Sequence, residues 1–264
     1  MSNPSNPLVA NLKLPGRIFP LPSRALFYRT QELAETVTNG ELHVRPMSAI
    51  DEIHMKNPDQ MYSGDSVKTV LPKCLDGVNK PTELLAKDVD AIMVYLRAVT
   101  YGTQYDFTAK HTCDNASFHP YQRDLEEIIQ NMKLIDPTTY AEAYSLELPA
   151  PLGNKLKLRP TRYVDAIELV KLNQNKTSLT VQDEAENLLL LILGLIESVD
   201  GTTERAHIRE WLSTIPAPMI TKITDKISEI EDWGPDMNTT IKCKDCHEEF
   251  TVEIPLNPIS FFTD

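Results

Sequence analysis

The chain has 264 residues, of which 41% are hydrophobic and 24% are charged, and these proportions are ordinary for a chain that folds around its own core. Its 38 acidic and 26 basic side chains give a formal charge of −12, which argues against a protein that neutralises phosphate groups. We therefore expect no nucleic-acid partner.

Two further features of the sequence indicate the cellular compartment of the protein. The longest apolar run, residues 188–196, is much shorter than the roughly 20 residues that cross a bilayer, so it predicts a buried helix and no membrane partner. The first seven residues have neither the basic patch nor the apolar core of a secretory signal. We therefore expect the four cysteines to lie in a reducing compartment, where metal binding or free thiols are more common than disulfides.

Residues 1–30 form a stretch that is interrupted by prolines and contains apolar and aromatic side chains. Proline fixes φ and removes a backbone donor, which favours extended segments that dock on another surface. Packing on the chain's own core is the more common arrangement for such a segment. The alternative is an extended arm that docks on a partner, and its contact residues would be Leu14, Phe19, Leu26, Phe27 and Tyr28.

Two stretches share a pattern of strand, Arg-Pro corner and helix. Residues 42–53 contain Arg45 and Pro46, and residues 156–167 contain Arg159 and Pro160 at matching positions. Each arginine is expected to pair with an aspartate in the following helix, such as Asp51 or Asp165. The pattern predicts two related halves, residues 31–140 and 141–238, between the N-terminal arm, residues 1–30, and a C-terminal segment, residues 239–264.

Apolar periodicity predicts the helices of each half. Residues 88–99 and 183–199 are strongly apolar helical stretches, and a further helical segment covers residues 208–230. Short alternating strands at residues 105–109 and 239–242 lead to cysteines. Together these elements predict an α+β fold that is mainly helical and contains a zinc-ribbon-like pair of knuckles.

The motif Cys243-Lys244-Asp245-Cys246 between two short strands is typical of a zinc knuckle, because a tight turn aims both thiolates at one point. Tetrahedral zinc needs four ligands, and Cys113 is the expected third. Ala116 stands where a first knuckle would have its second cysteine, so histidine must supply the fourth ligand. His111, His119 and His247 are candidates, and His119 is preferred because His247 adjoins Cys246.

A metal-free turn with buried thiols is the alternative for this site. If zinc binds, the predicted ligands Cys113, His119, Cys243 and Cys246 make the ion structural, because a catalytic zinc keeps an open position. The common phosphate-binding, dinucleotide-binding and nucleophile-elbow motifs are absent from the sequence. Cys74 lies between apolar neighbours and is expected to be a small buried side chain.

The C-terminal segment combines two prolines with apolar and aromatic side chains, as the N-terminal stretch does. We hypothesise that it is a second arm that docks on a partner. Its predicted contact residues are Ile254, Leu256, Ile259, Phe261 and Phe262.

The order of these motifs resembles that of the baseplate hub subunits and hub assembly proteins of T-even-like contractile-tailed phages. The resemblance rests on Leu14-Pro15-Gly16, residues 21–28, residues 41–47, Tyr101-Gly102, the cysteine turns and residues 254–262, and so covers nearly the whole chain. Proteins of this kind carry two C-x-x-C knuckles, and the present chain departs from that pattern at Ala116.

The resemblance implies a non-enzymatic structural or assembly role in the hub of a tail baseplate. It implies other hub or tape-measure proteins as partners, and a location in the host cytoplasm during assembly and in the virion tail. The rival hypotheses are a cytosolic zinc-ribbon adaptor for nucleic acid or transcription machinery, which the acidic charge disfavours, and an enzyme with an unrecognised site.

Overall fold

The fold was analysed in a computed structural model. It describes residues 15–37, 39–113, 117–173, 178, 180–256 and 258–262, with only the backbone at residues 58, 61, 62, 258 and 259. Within these residues the chain combines helices with small antiparallel sheets, which confirms the mixed helical and strand character that the sequence predicts. No helix among the described residues has both the length and the apolar character needed to cross a membrane.

The strands in the described part of the chain form four small sheets. β1 pairs with β2, β3 with β4 and β8 with β9, and the remaining sheet has the order β5-β6-β7. The strands are β1 (Arg17–Pro20), β2 (Glu41–Val44), β3 (Gln104–Ala109), β4 (His119–Asp124), β5 (Ser145–Glu147), β6 (Lys155–Leu158), β7 (Ile196–Val199), β8 (Asn238–Lys242) and β9 (Glu249–Glu253).

The helices range from single turns to α4, which has 16 residues. They are α1 (Ala49–Met55), α2 (Pro58–Ser63), α3 (Asp65–Cys74), α4 (Ala86–Tyr101), α5 (Leu125–Gln130), α6 (Tyr140–Ala143), α7 (Tyr163–Asn173), α8 (Val181–Leu195), α9 (Arg205–Thr214), α10 (Ala217–Ile230) and α11 (Pro258–Phe261). The described residues also include 3-10 turns at Glu35–Val37, between β1 and β2, and at Pro81–Glu83, between α3 and α4.

Local chemistry explains where several helices begin and end. Ser48 caps α1 in a capping box with Asp51, and Thr180 caps α8 in the same way with Asp183. Gly102 ends α4 with a φ of 93°, a backbone conformation that side chains with a Cβ rarely adopt. The apolar helix predicted at residues 88–99 is present and extends two residues further at each end.

Two predicted helices differ from the structure. The helix predicted over residues 183–199 ends at Leu195, because residues 196–199 form β7 and pair with β6. The segment predicted over residues 208–230 is two helices, α9 and α10, because Pro216 holds Ile215 in an extended conformation. In both cases pairing or proline geometry overrides the helical periodicity.

The hydrophobic interior consists of two main clusters. The first surrounds α4, which is buried on nearly all sides and therefore lies at the centre of its cluster. The second lies between the β5-β6-β7 sheet and helices α8, α9 and α10. A smaller cluster of Leu85, Ile135 and Trp233 is contacted by Leu26, Phe27, Tyr28 and Tyr140.

Both Arg-Pro corners lie between a strand and a helix, as predicted. At the second corner Arg159 Nη2 donates to Asp165 Oδ2 over 2.8 Å, which confirms the expected ion pair. At the first corner Arg45 pairs instead with Asp76, because Lys73 occupies Asp51. The two aspartates still have one role in common, since each accepts the backbone N–H of the residue three positions earlier, Ser48 or Arg162. A duplication of the complete halves stays a prediction.

The segments predicted as arms belong to the first cluster. Phe19 and Leu21 from the N-terminal stretch pack there together with Ile254, Phe261 and Phe262 from the C-terminal segment. The predicted boundaries at residues 30 and 238 would separate these side chains from the core that they share.

Candidate metal centre

Two β-hairpins carry the cysteines. β3 and β4 are joined by residues 110–118, which contain Cys113, and β8 and β9 are joined by residues 243–248, which contain the C-x-x-C motif. In the second turn the Cys243 N–H donates to the Glu248 carbonyl over 2.8 Å, and the His247 N–H donates to the Cys243 carbonyl over 3.0 Å. His247 adopts a φ of 66°, so the backbone reverses immediately after Cys246.

The hairpin ends bring four possible ligands together. The ligand atoms of His111, Cys113, Cys243 and Cys246 all lie within 4.8 Å of one another. The Sγ atoms of Cys113 and Cys243 are 3.9 Å apart, and His111 Nδ1 is 3.2 Å from Cys246 Sγ. Zinc–sulfur bonds of about 2.3 Å in a tetrahedron imply a separation of about 3.8 Å between two sulfur ligands. The donor set and its size therefore fit one zinc ion.

The electrostatics of the cluster differ between its thiols. The backbone N–H groups of Cys246 and Asp245 lower the pKa of Cys243, because they stabilise its thiolate. Burial, together with the neighbouring Cys246 and Cys243 thiols, raises the pKa of Cys113. A bound divalent cation would lower the pKa of every coordinating thiol, because it stabilises the thiolate, and the two cysteines would then no longer differ in protonation.

The structure groups His111 with the three thiols and places His119 elsewhere. His119 Nε2 lies 2.8 Å from Asp245 Oδ1 and 3.0 Å from Ser117 Oγ. The hydrogen bond from His119 lowers the pKa of Asp245. Asp245 lies within the C-x-x-C turn. His119 therefore contacts this turn through Asp245, without joining the four possible ligands.

His111 could have been preferred from the sequence. It stands two residues after the end of β3 and two residues before Cys113, so it is the histidine nearest in sequence to the third cysteine. His119 lies six residues beyond Cys113 on the opposite strand, where it pairs with Ala109. A H-x-C spacing at the end of a strand was therefore the informative signal.

Ser117, His119 and Asp245 do not form a catalytic triad. Both the serine hydroxyl and the carboxylate contact the same ring nitrogen, Nε2, whereas a triad uses the two opposite nitrogens of the imidazole. Cys74 is 1% exposed, and burial raises its pKa to about 11, as expected for a small buried side chain.

Further contacts fasten the two hairpins to each other. Lys244 Nζ donates to the Pro120 carbonyl over 2.6 Å and lies 5.2 Å from the centre of the Tyr121 ring. The His111 ring stacks on Phe250 of β9, with 4.7 Å between ring centres. The cluster is therefore part of an interface between two hairpins that are about 130 residues apart in sequence.

The side chains predicted to dock on a partner have a different role in the structure. Phe19, Ile254, Phe261 and Phe262 are at most 2% exposed and lie in the chain's own core, so they are unavailable to a partner. Leu26, Phe27, Tyr28 and Leu256 are half-buried against the same chain. The predictions at Leu14 and at the Ile259 side chain lie outside the described residues. This placement favours the alternative of packing on the chain's own core, since each segment has apolar partners there. Docking of these segments on a partner stays a prediction.

Comparison with known proteins identifies the class. The family described as T4 bacteriophage base plate protein matches residues 30–263, which is most of the chain. The chain belongs to this family. No curated protein and no solved structure shows a significant match.

Proposed function

We propose that this chain is a non-enzymatic structural or assembly component of the central hub of a phage tail baseplate. The observation that carries this proposal is the family match over residues 30–263. Other hub or tape-measure proteins are its partners, and it acts in the host cytoplasm during assembly and in the virion tail.

We further propose that a structural zinc ion joins the two hairpins through His111, Cys113, Cys243 and Cys246. Three thiolates and one imidazole would together supply the four ligands of a structural zinc ion, which would leave no position for a substrate. The free energy of zinc binding would stabilise the contact between the two hairpins, which otherwise depends on a few polar and aromatic interactions. This role needs no reaction chemistry from the neighbouring side chains.

The paired charges of one surface cleft support a non-enzymatic role. This cleft of about 820 Å³ contains Arg159, Arg162 and Asp165. Arg162 pairs with Glu32 and Glu83, and Arg159 pairs with Asp165, so these charges stabilise the fold around the cleft. The adaptor hypothesis is disfavoured because the chain carries a formal charge of −12.

The experiment is disruption of the gene for this chain in the phage that encodes it. We expect infected cells to contain no complete baseplates by negative-stain electron microscopy, and a plasmid copy of the wild-type gene to restore them. A copy carrying Cys243→Ser should restore fewer, because it removes a zinc ligand. Complete baseplates in cells that lack the chain would refute the structural and assembly role.

A further inference from the structure

The C-x-x-C turn contacts the hairpin of β3 and β4 with all four residues of its motif. The thiols of Cys243 and Cys246 lie among the four possible ligands, whose other two members follow the end of β3. The two residues between the cysteines, Lys244 and Asp245, contact residues at the start of β4 instead. The turn therefore bridges both strands of that hairpin, with thiols toward one strand and polar side chains toward the other.

Asp245 forms contacts on both sides of its carboxylate. Its Oδ1 accepts a hydrogen bond from His119 Nε2 over 2.8 Å, and its Oδ2 accepts the Ser117 N–H over 3.1 Å. The side chains of His119 and Asp245 are 25% and 23% exposed, so water competes little for this pair. A carboxylate that accepts one backbone N–H and one ring N–H holds the turn at a defined place beside β4.

Lys244 contacts the next residues of the same strand. Its Nζ donates to the Pro120 carbonyl and lies 5.2 Å from the centre of the Tyr121 ring. A carbonyl acceptor and an aromatic face together hold the ammonium group in one place. The contacts of Lys244 and Asp245 involve none of the four possible ligands, so they can form without a metal ion.

We propose that Lys244 and Asp245 are positioning residues, which hold the C-x-x-C turn against β4 before a metal ion binds. This inference rests on the proposed zinc site. Each hairpin supplies two of the four possible ligands, so zinc binding to separated hairpins would lose free energy in bringing them together. Contacts that join the hairpins beforehand remove that loss and raise the affinity for the ion.

The charge of Lys244 distinguishes positioning from simple electrostatics. An ammonium group repels a nearby divalent cation, so removal of the charge alone would tighten zinc binding. Loss of a positioning contact would weaken it. Lys244→Met removes the ammonium group and keeps an unbranched side chain, so the direction of its effect on zinc affinity separates the two roles.

Competition titration of the purified full-length chain with a chromogenic chelator measures zinc affinity. We expect Lys244→Met and Asp245→Ala each to weaken zinc binding about three- to tenfold, the effect of one ordinary hydrogen bond. Lys244→Arg keeps a cation that can donate to the carbonyl and stack on the ring, so it should bind zinc nearly as tightly as the wild type.

Lys242→Met and Glu248→Ala are the matched controls. They make the same changes of charge at exposed positions that flank the motif. Neither side chain forms a hydrogen bond or an ion pair within the described part of the chain, so neither control should weaken zinc binding. Losses in the controls equal to those in Lys244→Met and Asp245→Ala would overturn the proposal. Tighter or unchanged zinc binding by Lys244→Met would overturn it too.

A Co²⁺ titration shows whether the ligands themselves are retained. Lys244→Met and Asp245→Ala should give the thiolate-to-metal absorption of the wild type, whereas Cys243→Ser should lose part of it. Circular dichroism establishes that each variant is folded. A changed cobalt spectrum in Lys244→Met or Asp245→Ala would contradict a positioning role, because the ligand set would then differ.

A double-mutant cycle tests the contact in the absence of metal. In excess chelator, urea denaturation gives the unfolding equilibrium constants of Asp245→Ala, His119→Ala and the double variant. We expect the double variant to fall short of the product of the single effects by at least about threefold, because both substitutions remove the same contact. Independent effects would overturn the proposal even where the wild type binds zinc. A wild type that binds no zinc but keeps this coupling would refute the proposed zinc site and leave the contact supported.

Discussion

At the scale of single residues, the two histidines beside Cys113 have different partners. His111 lies with the thiols, whereas His119 contacts Asp245. We expect His111→Ala to lower zinc affinity by at least about tenfold, because it removes a ligand. His119→Ala should retain about one zinc ion per chain, with at most a smaller loss of affinity.

A competition titration with a chromogenic zinc chelator measures both affinities. Equal losses of zinc affinity in the two variants, or a larger loss in His119→Ala, would indicate that His119 is a zinc ligand, as the sequence predicted.

The buried carboxylate of Asp88 is a second single residue with a testable role. It accepts hydrogen bonds from the Ser23 N–H, the Ser23 hydroxyl and the Tyr28 hydroxyl, and so fastens residues 23–28 to α4. Burial nevertheless dominates and raises the pKa of Asp88 from 3.8 to about 6. The folded state therefore holds this proton more tightly than the unfolded state does.

The raised pKa of Asp88 makes the free energy of unfolding depend on pH. Because the folded state binds the Asp88 proton more tightly than the unfolded state, the free energy of unfolding rises as pH falls through about 6. Relative to Asp88→Asn, the wild-type chain should gain about 1 kcal/mol of unfolding free energy between pH 7 and pH 5. Urea denaturation of both proteins at each pH measures the difference. A difference that stays constant or shrinks toward pH 5 would contradict the assignment.

At the scale of elements, the C-terminal segment is part of the core. Phe261 is fully buried, and its ring centre lies 5.0 Å from that of Tyr105 and 5.5 Å from that of Phe262. We expect Phe261→Ala to destabilise the chain by about 3–5 kcal/mol, since it leaves a cavity. Phe118→Ala is the matched control, because Phe118 is 72% exposed, and it should change stability by less than about 0.5 kcal/mol.

Chemical denaturation followed by circular dichroism measures both variants. If Phe261→Ala were as stable as the wild type, the segment would be a separable arm, as the sequence suggested.

At the scale of the whole molecule, local chemistry was readable from the sequence and long-range packing was not. The capping residue Ser48, the helix before Gly102 and the C-x-x-C turn each depend on neighbours in sequence, and each is present in the structure. The H-x-C spacing is a local signal for His111, but the meeting of His111 and Cys113 with the C-x-x-C turn depends on how the two hairpins approach each other. The burial of Phe19 and Phe262 depends on a core shared by distant segments.

The boundary between α8 and β7 also depends on long-range packing. Their residues form one apolar run in the sequence, but only pairing with β6 ends the helix at Leu195. Periodicity could not show that Leu188 and Leu191 remain exposed, because their exposure reflects the absence of a covering element among the described residues.

Elemental mass spectrometry of the untagged wild-type chain tests the proposed metal centre most directly, because it measures the zinc content. We expect about one zinc ion per chain, lost in Cys243→Ser, together with reduced thermal stability after chelation. A wild-type chain that contains no zinc after purification in zinc-supplemented buffer, and whose stability a chelator leaves unchanged, would contradict the proposal that a metal ion joins the two hairpins.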